Sequence, residues 1–115
     1  MNARVTLKKN SDFRRLYAKG KSSMNRLLVV YCRRNGRGEN RLGYTVSAKL
    51  GHAVVRNRVR RRLREVYRLH RSELKSGYDV IVVARSRAVE AGFADLSRAF
   101  ADACEKLGLT KEREQ

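Results

Sequence analysis

Val55–Leu74 (VRNRVRRRLREVYRLHRSEL) is the longest periodic stretch of the chain, and the rest of the sequence is best understood around it. At about 100° per residue, one sector of a helix collects apolar and ring side chains: Val59, Leu63, Val66, Tyr67, His70 and Leu74. A largely opposite sector collects polar ones: Asn57, Arg60, Arg61, Arg64, Arg68 and Arg71. The stretch therefore predicts an amphipathic helix with one face in a core and one face outward.

Helical and strand-like patterns alternate on both sides of this helix. Before it, the sequence predicts a short helix over about 11–19 capped by Asn10 or Ser11, a buried strand Leu27–Cys32, and an alternating strand Leu42–Ser47 with a small, polar face. After it come a buried strand Tyr78–Ala84 and a helix over about 88–107. The order of helix, two or three strands, helix, strand and helix predicts a single α+β domain.

The charge balance indicates a polyanionic partner. Lys and Arg number 28 against 11 Asp and Glu, which gives a net charge of +17, and 20 of the 28 cations are Arg. Eight of the sixteen residues from Arg56 to Arg71 are arginine, against the single acid Glu65. A solvated helix face normally mixes signs at i,i+4, whereas Arg60, Arg64 and Arg68 repel one another at that spacing. This helix is therefore predicted to contact nucleic-acid phosphates, whose counterions are released on binding.

The aromatic residues near the N-terminus permit two interpretations. Phe13 and Tyr17 lie one helical turn apart, and Tyr31 lies on the first strand. Spacing alone favours packing in the core. The alternative is a groove walled by Phe13 and Tyr17, in which unpaired bases stack on the rings.

A protein-based active site is poorly supported. The carboxylates are scattered, no nucleophile has an attendant base, and His52 and His70 do not complete a metal site. Cys32 and Cys104 are expected to be buried or half-buried free thiols. The longest apolar runs, Leu27–Cys32 and Val80–Ala84, are too short to span a bilayer, so a soluble, cytoplasmic protein is expected.

Three blocks of sequence resemble the protein subunit of bacterial ribonuclease P, over about residues 4–107. The first is Leu7–Phe13 (LKKNSDF) with Gly20, and the second is Asn25-Arg26 followed by Val29–Tyr31. The third and most specific is Gly43–Arg58 (GYTVSAKLGHAVVRNR), which continues through Arg64.

The resemblance implies a fold and a chemistry. The fold is one domain over residues 1–115 with the order αβββαβα, a mixed four-stranded sheet and a left-handed βαβ crossover, against the usual right-handed rule. From their composition, residues 1–9 apart from Leu7, and residues 109–115, are expected to be loose. The catalyst of the family is a large RNA that removes the 5′ leader of precursor tRNA. Mg²⁺ is required by that RNA, and the protein is expected to supply neither a metal site nor a catalytic group.

Residue roles follow by position from the resemblance. Contact with the catalytic RNA is assigned to Arg56, Asn57, Arg58, Arg60, Arg61 and Arg64, and helical phasing adds Arg68. A cleft for the single-stranded leader would use Phe13, Tyr17, Val29, Tyr31, Thr45, Ser47 and Lys49, which moves the aromatic pair from core to cleft. The partners are then the catalytic ribonuclease P RNA and the 5′ leader of precursor tRNA, with no membrane and no small-molecule substrate.

Two other classes of protein remain as alternatives. A small basic ribosomal or ribosome-assembly protein would have a similar composition, but it would need extended basic tails, whereas the charge here is concentrated on one helix. A protein-only nuclease would cleave RNA without an RNA subunit.

Overall fold

A computed structural model describes residues 6–111 as three helices packed on one four-stranded sheet. The helices are α1 (Asn10–Lys19), α2 (Ala53–His70) and α3 (Phe93–Lys106). The strands are β1 (Lys21–Met24), β2 (Leu28–Arg34), β3 (Arg41–Thr45) and β4 (Tyr78–Ala84), with short 3-10 turns at Ala48–Leu50, Arg71–Glu73 and Ser86–Ala88. The α+β class and the order αβββαβα are confirmed.

The sheet is mixed, with the strand order β1-β2-β4-β3. β4 lies in the interior, antiparallel to β2 and parallel to β3. Because β3 and β4 are parallel neighbours, α2 is the crossover helix of a βαβ unit. The left-handedness that the resemblance implies for this crossover stays a prediction.

The main core lies between one face of the sheet and helices α2 and α3. Val30 of β2 and Val82 of β4 have almost no exposed surface on this face. The inward stripe predicted for α2 is buried against them at Val59, Leu63, Val66 and Tyr67. Cys32 and Cys104 are free and buried in the same core, as expected, and burial raises the pKa of Cys104 to about 12.

In the described part of the chain, the opposite face of the sheet is covered by α1 and by Leu7, which precedes it. Leu16 is the buried residue of this helix and packs with Leu7 and Ile81 in a second, small cluster. Phe13, Tyr31 and Val83 pack at its edge and remain partly exposed. α1 and Leu7 cover only part of a four-stranded sheet, so the rest of this face has no cover among residues 6–111.

Several predicted boundaries shift. α1 begins at Asn10, and the cap position is held by Lys9 without a side-chain hydrogen bond, so the predicted Asn10 or Ser11 cap is wrong. The last helix begins at Phe93 rather than near 88, because Ser86–Ala88 forms a separate 3-10 turn. The sequence predicts no strand at β1, because KSSM has neither β-branched nor aromatic residues.

Two residues of the terminal segments are packed in the described part of the chain: Leu7, which the expectation of loose ends excepts, and Leu109, which it does not. The Leu7 amide donates to the Leu42 carbonyl at 2.8 Å, and the Leu7 side chain is buried under α1. Leu109 is also buried, and its carbonyl accepts from the Lys75 amide at 2.7 Å. An apolar side chain in each segment gains burial and so anchors it. Residues 1–5 and 112–115 lie outside the described part. Within residues 6–111, no helix is long and apolar enough to cross a membrane.

Candidate nucleic-acid interface

The outward side of α2 presents a row of arginines, here called the arginine face. Its members are the residues predicted to contact RNA: Arg56, Asn57, Arg58, Arg60, Arg61, Arg64 and Arg68. Asn57, Arg58, Arg61, Arg64 and Arg68 are exposed, whereas Arg56 and Arg60 are half-buried. The first turn of α2 holds no acidic residue and its N-cap His52 makes no side-chain hydrogen bond, so positive charge accumulates where the helix dipole is already positive.

Most of this charge has no internal compensation. In the described chain, only Arg68 of the arginine face forms an ion pair, with its Nε 3.0 Å from Glu65 Oε2. The hydrogen bond from Arg68 lowers the pKa of the Glu65 carboxyl. Arg60 donates to the neutral Asn57 Oδ1 at 3.0 Å, which orients the guanidinium without neutralising it. Five arginines of the face are therefore left for an external anion.

Arg62 differs from its neighbours. Its Nη1 donates to the Ala91 carbonyl at 3.1 Å, so it ties α2 to the segment before α3. Arg62 therefore has a structural role and lies outside the arginine face.

The second candidate surface lies on the open face of the sheet, beside α1. Val83 of β4 is paired with Val29 of β2 and with Thr45 of β3. Residues paired across neighbouring strands place their side chains on the same face. These three half-buried residues therefore form one row across the sheet, next to the row of Tyr31, Ile81 and Gly43 that α1 covers.

Three aromatic rings lie beside the row of Val29, Val83 and Thr45. The Phe13 and Tyr17 centroids are 6.5 Å apart, and the Tyr17 and Tyr31 rings meet edge to face at 4.9 Å. The Tyr17 hydroxyl lies 2.7 Å from Thr45 Oγ1, which links α1 to β3 across the opening. Tyr17 remains 39% exposed, so its ring is available to a ligand. The three rings with Val29, Val83 and Thr45 are here called the aromatic groove.

Gly43 sets the position of the Phe13 ring. A Cβ at Gly43 would lie 2.6 Å from Phe13 Cζ and 3.3 Å from Leu7 Cβ, closer than atoms can pack. The missing side chain therefore lets the ring rest on the backbone of β3. Phe13 is at once a packing residue and a wall of the groove, and the stacking of bases on its ring stays a prediction.

The structure brings five of the seven predicted cleft residues together: Phe13, Tyr17, Val29, Tyr31 and Thr45. Ser47 and Lys49 are exposed and lie at the 3-10 turn after β3, where Ser47 Oγ accepts from the Lys49 amide at 3.1 Å. Ring contacts and hydrogen bonds of the described residues do not join these two to the groove. Their place in it stays a prediction.

Two residues of this surface are missing from the sequence-based prediction. Val83 lies in an apolar strand without alternation, so nothing in its pattern distinguishes the open face from the buried one. Met24 of β1 pairs with Val29 and is 65% exposed at the end of the same row. A prediction of strand register would have found both.

The described residues offer no protein-held metal site. Residues 6–111 contain no group of three His, Cys, Asp or Glu side chains that could hold a metal ion. Asp12 on α1 and Asp79 beneath it both interact with Arg41. Asp79 accepts two hydrogen bonds from the guanidinium, and Asp12 lies 3.8 Å from it.

Comparison with known proteins gives consistent matches over most of the chain. The model of the family described as Ribonuclease P matches residues 1–108. The ribonuclease P protein component of Alkaliphilus oremlandii is 45% identical over 95% of this chain and 96% of its own length. That of Caldanaerobacter subterraneus subsp. tengcongensis is 46% identical over 95% and 94%.

Solved structures agree with the sequence matches. The RNase P protein of Staphylococcus aureus superposes with a TM-score of 0.85 at 36% identity, covering 93% of this chain and 98% of that one. The RNase P protein of Thermotoga maritima superposes with a TM-score of 0.78 at 30% identity, covering 84% and 92%.

Proposed function

The chain belongs to the ribonuclease P protein family and is thus a component of that enzyme; we propose that it binds two RNAs on opposite sides of its sheet. The arginine face would contact the catalytic RNA. The aromatic groove would hold the single-stranded 5′ leader of precursor tRNA. Family membership also removes the ribosomal-protein alternative.

The observation that carries this proposal is the separation of two unlike surfaces. α2 packs its apolar stripe on one face of the sheet and turns its arginines away from it. The aromatic groove lies on the other face, where α1 leaves Val29, Val83 and Thr45 partly exposed. A protein with one RNA partner needs one surface, whereas these two differ in both chemistry and direction.

The arginine face suits a folded RNA. A guanidinium grips phosphate oxygens with two parallel hydrogen bonds, and each neutralised phosphate releases condensed counterions. Five uncompensated arginines on one helix offer a fixed array of such contacts. Because the array repels itself in the free protein, binding to a dense polyanion also removes a destabilising term.

The aromatic groove suits unpaired nucleotides. Every base has a π-face, so stacking on Tyr17, Tyr31 or Phe13 does not depend on base identity and contributes about 1–3 kcal/mol per base. The floor of Val29 and Val83 is apolar and offers no hydrogen bonds of its own. Such a groove can accept leaders of many sequences, which a general tRNA-maturation enzyme requires.

The protein is proposed to assist catalysis through binding, without supplying a reacting group. Mg²⁺ is assigned to the catalytic RNA, since the described carboxylates nearest α1 are held by Arg41. The cationic protein would lower the repulsion between catalyst and substrate, and so raise the affinity for substrate and for metal ions at moderate Mg²⁺. An activity on precursor tRNA supports a cytoplasmic location.

Reconstitution tests the proposal. The purified chain is mixed with a catalytic ribonuclease P RNA, and cleavage of precursor tRNA is measured at low Mg²⁺ with and without a leader of several nucleotides. Phe13→Ala is compared with Phe93→Ala, since Phe93 is a 38% exposed phenylalanine on α3, away from the groove. Binding of the leader-less product serves as the reference.

Phe13→Ala is expected to weaken binding of the substrate with a leader far more than binding of the leader-less RNA. Phe93→Ala is expected to leave both unchanged. Equal losses on the two RNAs with Phe13→Ala would remove the groove from leader binding. If the wild-type chain failed to stimulate cleavage at all, the proposed assistance would be wrong.

A further inference from the structure

A second basic surface lies on the other flank of α1 from the aromatic groove. On α1, Leu16 faces the sheet, and Phe13 and Tyr17 stand on the groove side. Asp12 and Arg15 project to the opposite side and line a pocket above Asp79. Four cationic side chains surround this pocket and define it here as the basic pocket: Lys9, Arg15, Arg33 and Arg37.

The floor of the basic pocket is a closed ion-pair network. Arg41 Nε and Nη2 donate to the two Asp79 oxygens at 2.8 and 2.7 Å, and Asn35 Nδ2 donates to Asp79 Oδ1 at 3.0 Å. Burial alone would raise the pKa of Asp79, but hydrogen bonds from Arg41 and Asn35 outweigh it and lower the pKa. The carboxylate is therefore ionised: it accepts hydrogen bonds from Arg41 and Asn35, and the charges of Arg41 and Arg37 also contribute to its lowered pKa.

None of the four cations forms an ion pair within 4 Å of a described carboxylate, and only the charge of Arg37 acts on Asp79 from a greater distance. Within residues 6–111, the ion pairs of this region involve only Arg41 with Asp79 and Asp12. Arg34 is not one of the four cations, because its side chain lies over the Tyr78 ring at 5.9 Å, on the opposite face of the sheet. The pocket thus holds a larger surplus of positive charge than its own carboxylates can balance.

The loop between β2 and β3 is organised to carry part of this charge. Gly36 has a φ of +70°, a conformation that favours glycine, and Asn35 Oδ1 accepts from the Arg37 amide at 2.8 Å. The Asn35 amide group also donates to the Glu39 carbonyl at 3.1 Å. Arg37 therefore stands on a defined turn that is tied to the floor of the pocket through the same asparagine.

We propose that the basic pocket binds backbone phosphates of the 5′ leader beyond the nucleotides held in the aromatic groove. This inference rests on the proposed role of the groove. Groove and pocket lie on the same side of the sheet and flank the same helix, whereas the arginine face lies on the other side. The rows Val29–Val83–Thr45 and Arg33–Asp79–Arg41 are four strand residues apart, or about 13 Å. A single-stranded leader that leaves the groove and crosses α1 would reach the pocket after a few nucleotides.

The chemistry of the pocket fits the distal part of a leader. Arginine forks bind phosphate oxygens and are indifferent to base identity. No aromatic ring lines the pocket in the described part of the chain, so it offers no stacking site there. Recognition there would depend on charge and leader length alone.

The test compares short and long leaders on the reconstituted enzyme. Leaders of about 4 and about 16 nucleotides correspond to the two ends of the range of single-strand site sizes. Arg33→Gln with Arg37→Gln removes two cations of the pocket and leaves Arg41, Asp79 and Asn35 intact. Arg87→Gln with Arg98→Gln removes the same charge from two exposed arginines near α3 and serves as the matched control. Affinity is measured against salt concentration for both substrates and for the catalytic RNA alone.

The pocket variant is expected to bind the short-leader substrate like wild type and to lose the additional affinity of the long leader. For the long-leader substrate, the slope of the logarithm of affinity against the logarithm of salt concentration should flatten by about 0.7 for each phosphate that the variant no longer neutralises. An unchanged long-leader slope, or one flattened equally by the control variant, would overturn the proposal. A slope that changes for the catalytic RNA alone would overturn it too, because the pocket would then bind the other partner.

The test of the basic pocket can fail independently of the test of the aromatic groove. If Phe13→Ala leaves leader binding unaffected, the proposed function of the groove fails at any leader length. If Phe13→Ala acts as expected and the pocket variant does not, only the further inference fails.

Discussion

Gly43→Ala should perturb the aromatic groove without altering any side chain proposed to bind RNA. The added methyl group would lie 2.6 Å from Phe13 Cζ and 3.0 Å from Phe13 Cε2. Carbon atoms pack at about 3.5–4.0 Å, so the ring must withdraw by about 1 Å. The Leu7 Cβ, 3.3 Å from the same position, limits movement in that direction. The ring therefore has to leave its place on β3, and α1 must tilt with it.

The expected cost has two parts. Overpacking of this kind destabilises a domain by about 1–3 kcal/mol, which at about 4 °C per kcal/mol lowers Tm by about 4–12 °C. A displaced Phe13 ring also loses its stacking on a base, about 1–3 kcal/mol. That loss corresponds to about a 5- to 150-fold weaker affinity for substrates with a leader.

Gly38→Ala is the matched control, because a Cβ at Gly38 would meet nothing within 4 Å. Thermal unfolding is followed at one fixed anion concentration, since bound anions add stability by mass action. Adding Phe13→Leu to Gly43→Ala removes the clashing ring atoms and should restore Tm without restoring leader affinity. If Gly43→Ala and Gly38→Ala gave the same Tm and the same affinity, the assignment of Gly43 as the support of the ring would be refuted.

Three further predictions concern charge, pH and a hydroxyl group. Replacing Arg60 and Arg64 together by alanine should flatten the salt dependence of binding to the catalytic RNA by about 0.7–0.9 for each phosphate that the variant leaves unneutralised; an unchanged slope would place both side chains in solvent. The pKa of Asp79 is lower in the folded protein than in the unfolded chain, where it is about 3.9. The ionised carboxylate therefore stabilises the fold at pH values above about 3.9, and this stabilisation is lost as the pH falls through the folded-state pKa. Urea titrations from about pH 5 to about pH 2 should therefore show a smaller loss of stability in Asp79→Asn than in wild type, and equal losses would contradict this linkage. Tyr17→Phe removes the 2.7 Å hydrogen bond to Thr45 and should cost about 1 kcal/mol of stability or less while leader binding is retained; an affinity as low as that of Tyr17→Ala would show that the hydroxyl, rather than the ring, holds the leader.

The sequence predicts burial best for an element with one periodic pattern and one buried side. α2 has a single buried side, so its phasing alone assigns Val59, Leu63 and Val66 to the core. Tyr78–Ala84 is predicted with its correct bounds, because an apolar run between turn residues leaves few alternatives. The general region of the groove comes from the family resemblance, since spacing alone favours core packing for Phe13 and Tyr17.

What the sequence does not predict depends on which elements meet in space. Val83 lines the groove because α1 does not cover it completely. The sequence of β4 does not indicate which of its residues α1 covers. Arg62 has the same residue type as its neighbours, yet the Ala91 carbonyl removes it from the arginine face. Leu7 and Leu109 are single apolar residues in polar segments, and their anchoring requires partners far along the chain.

The position of β4 in the sheet has a consequence for how the protein is made. β4 follows residue 77 in the chain, yet β3 has no other strand to pair with among the described residues. The β1–β2 hairpin can form early, but α2 leaves the ribosome before the sheet against which it packs is complete. The nascent chain therefore exposes the apolar stripe of α2, beside its arginines, until β4 is synthesised. Insertion of that one strand then completes the sheet beneath α2 and the floor of the aromatic groove together, so we expect both proposed RNA-binding surfaces to form in a single late folding step.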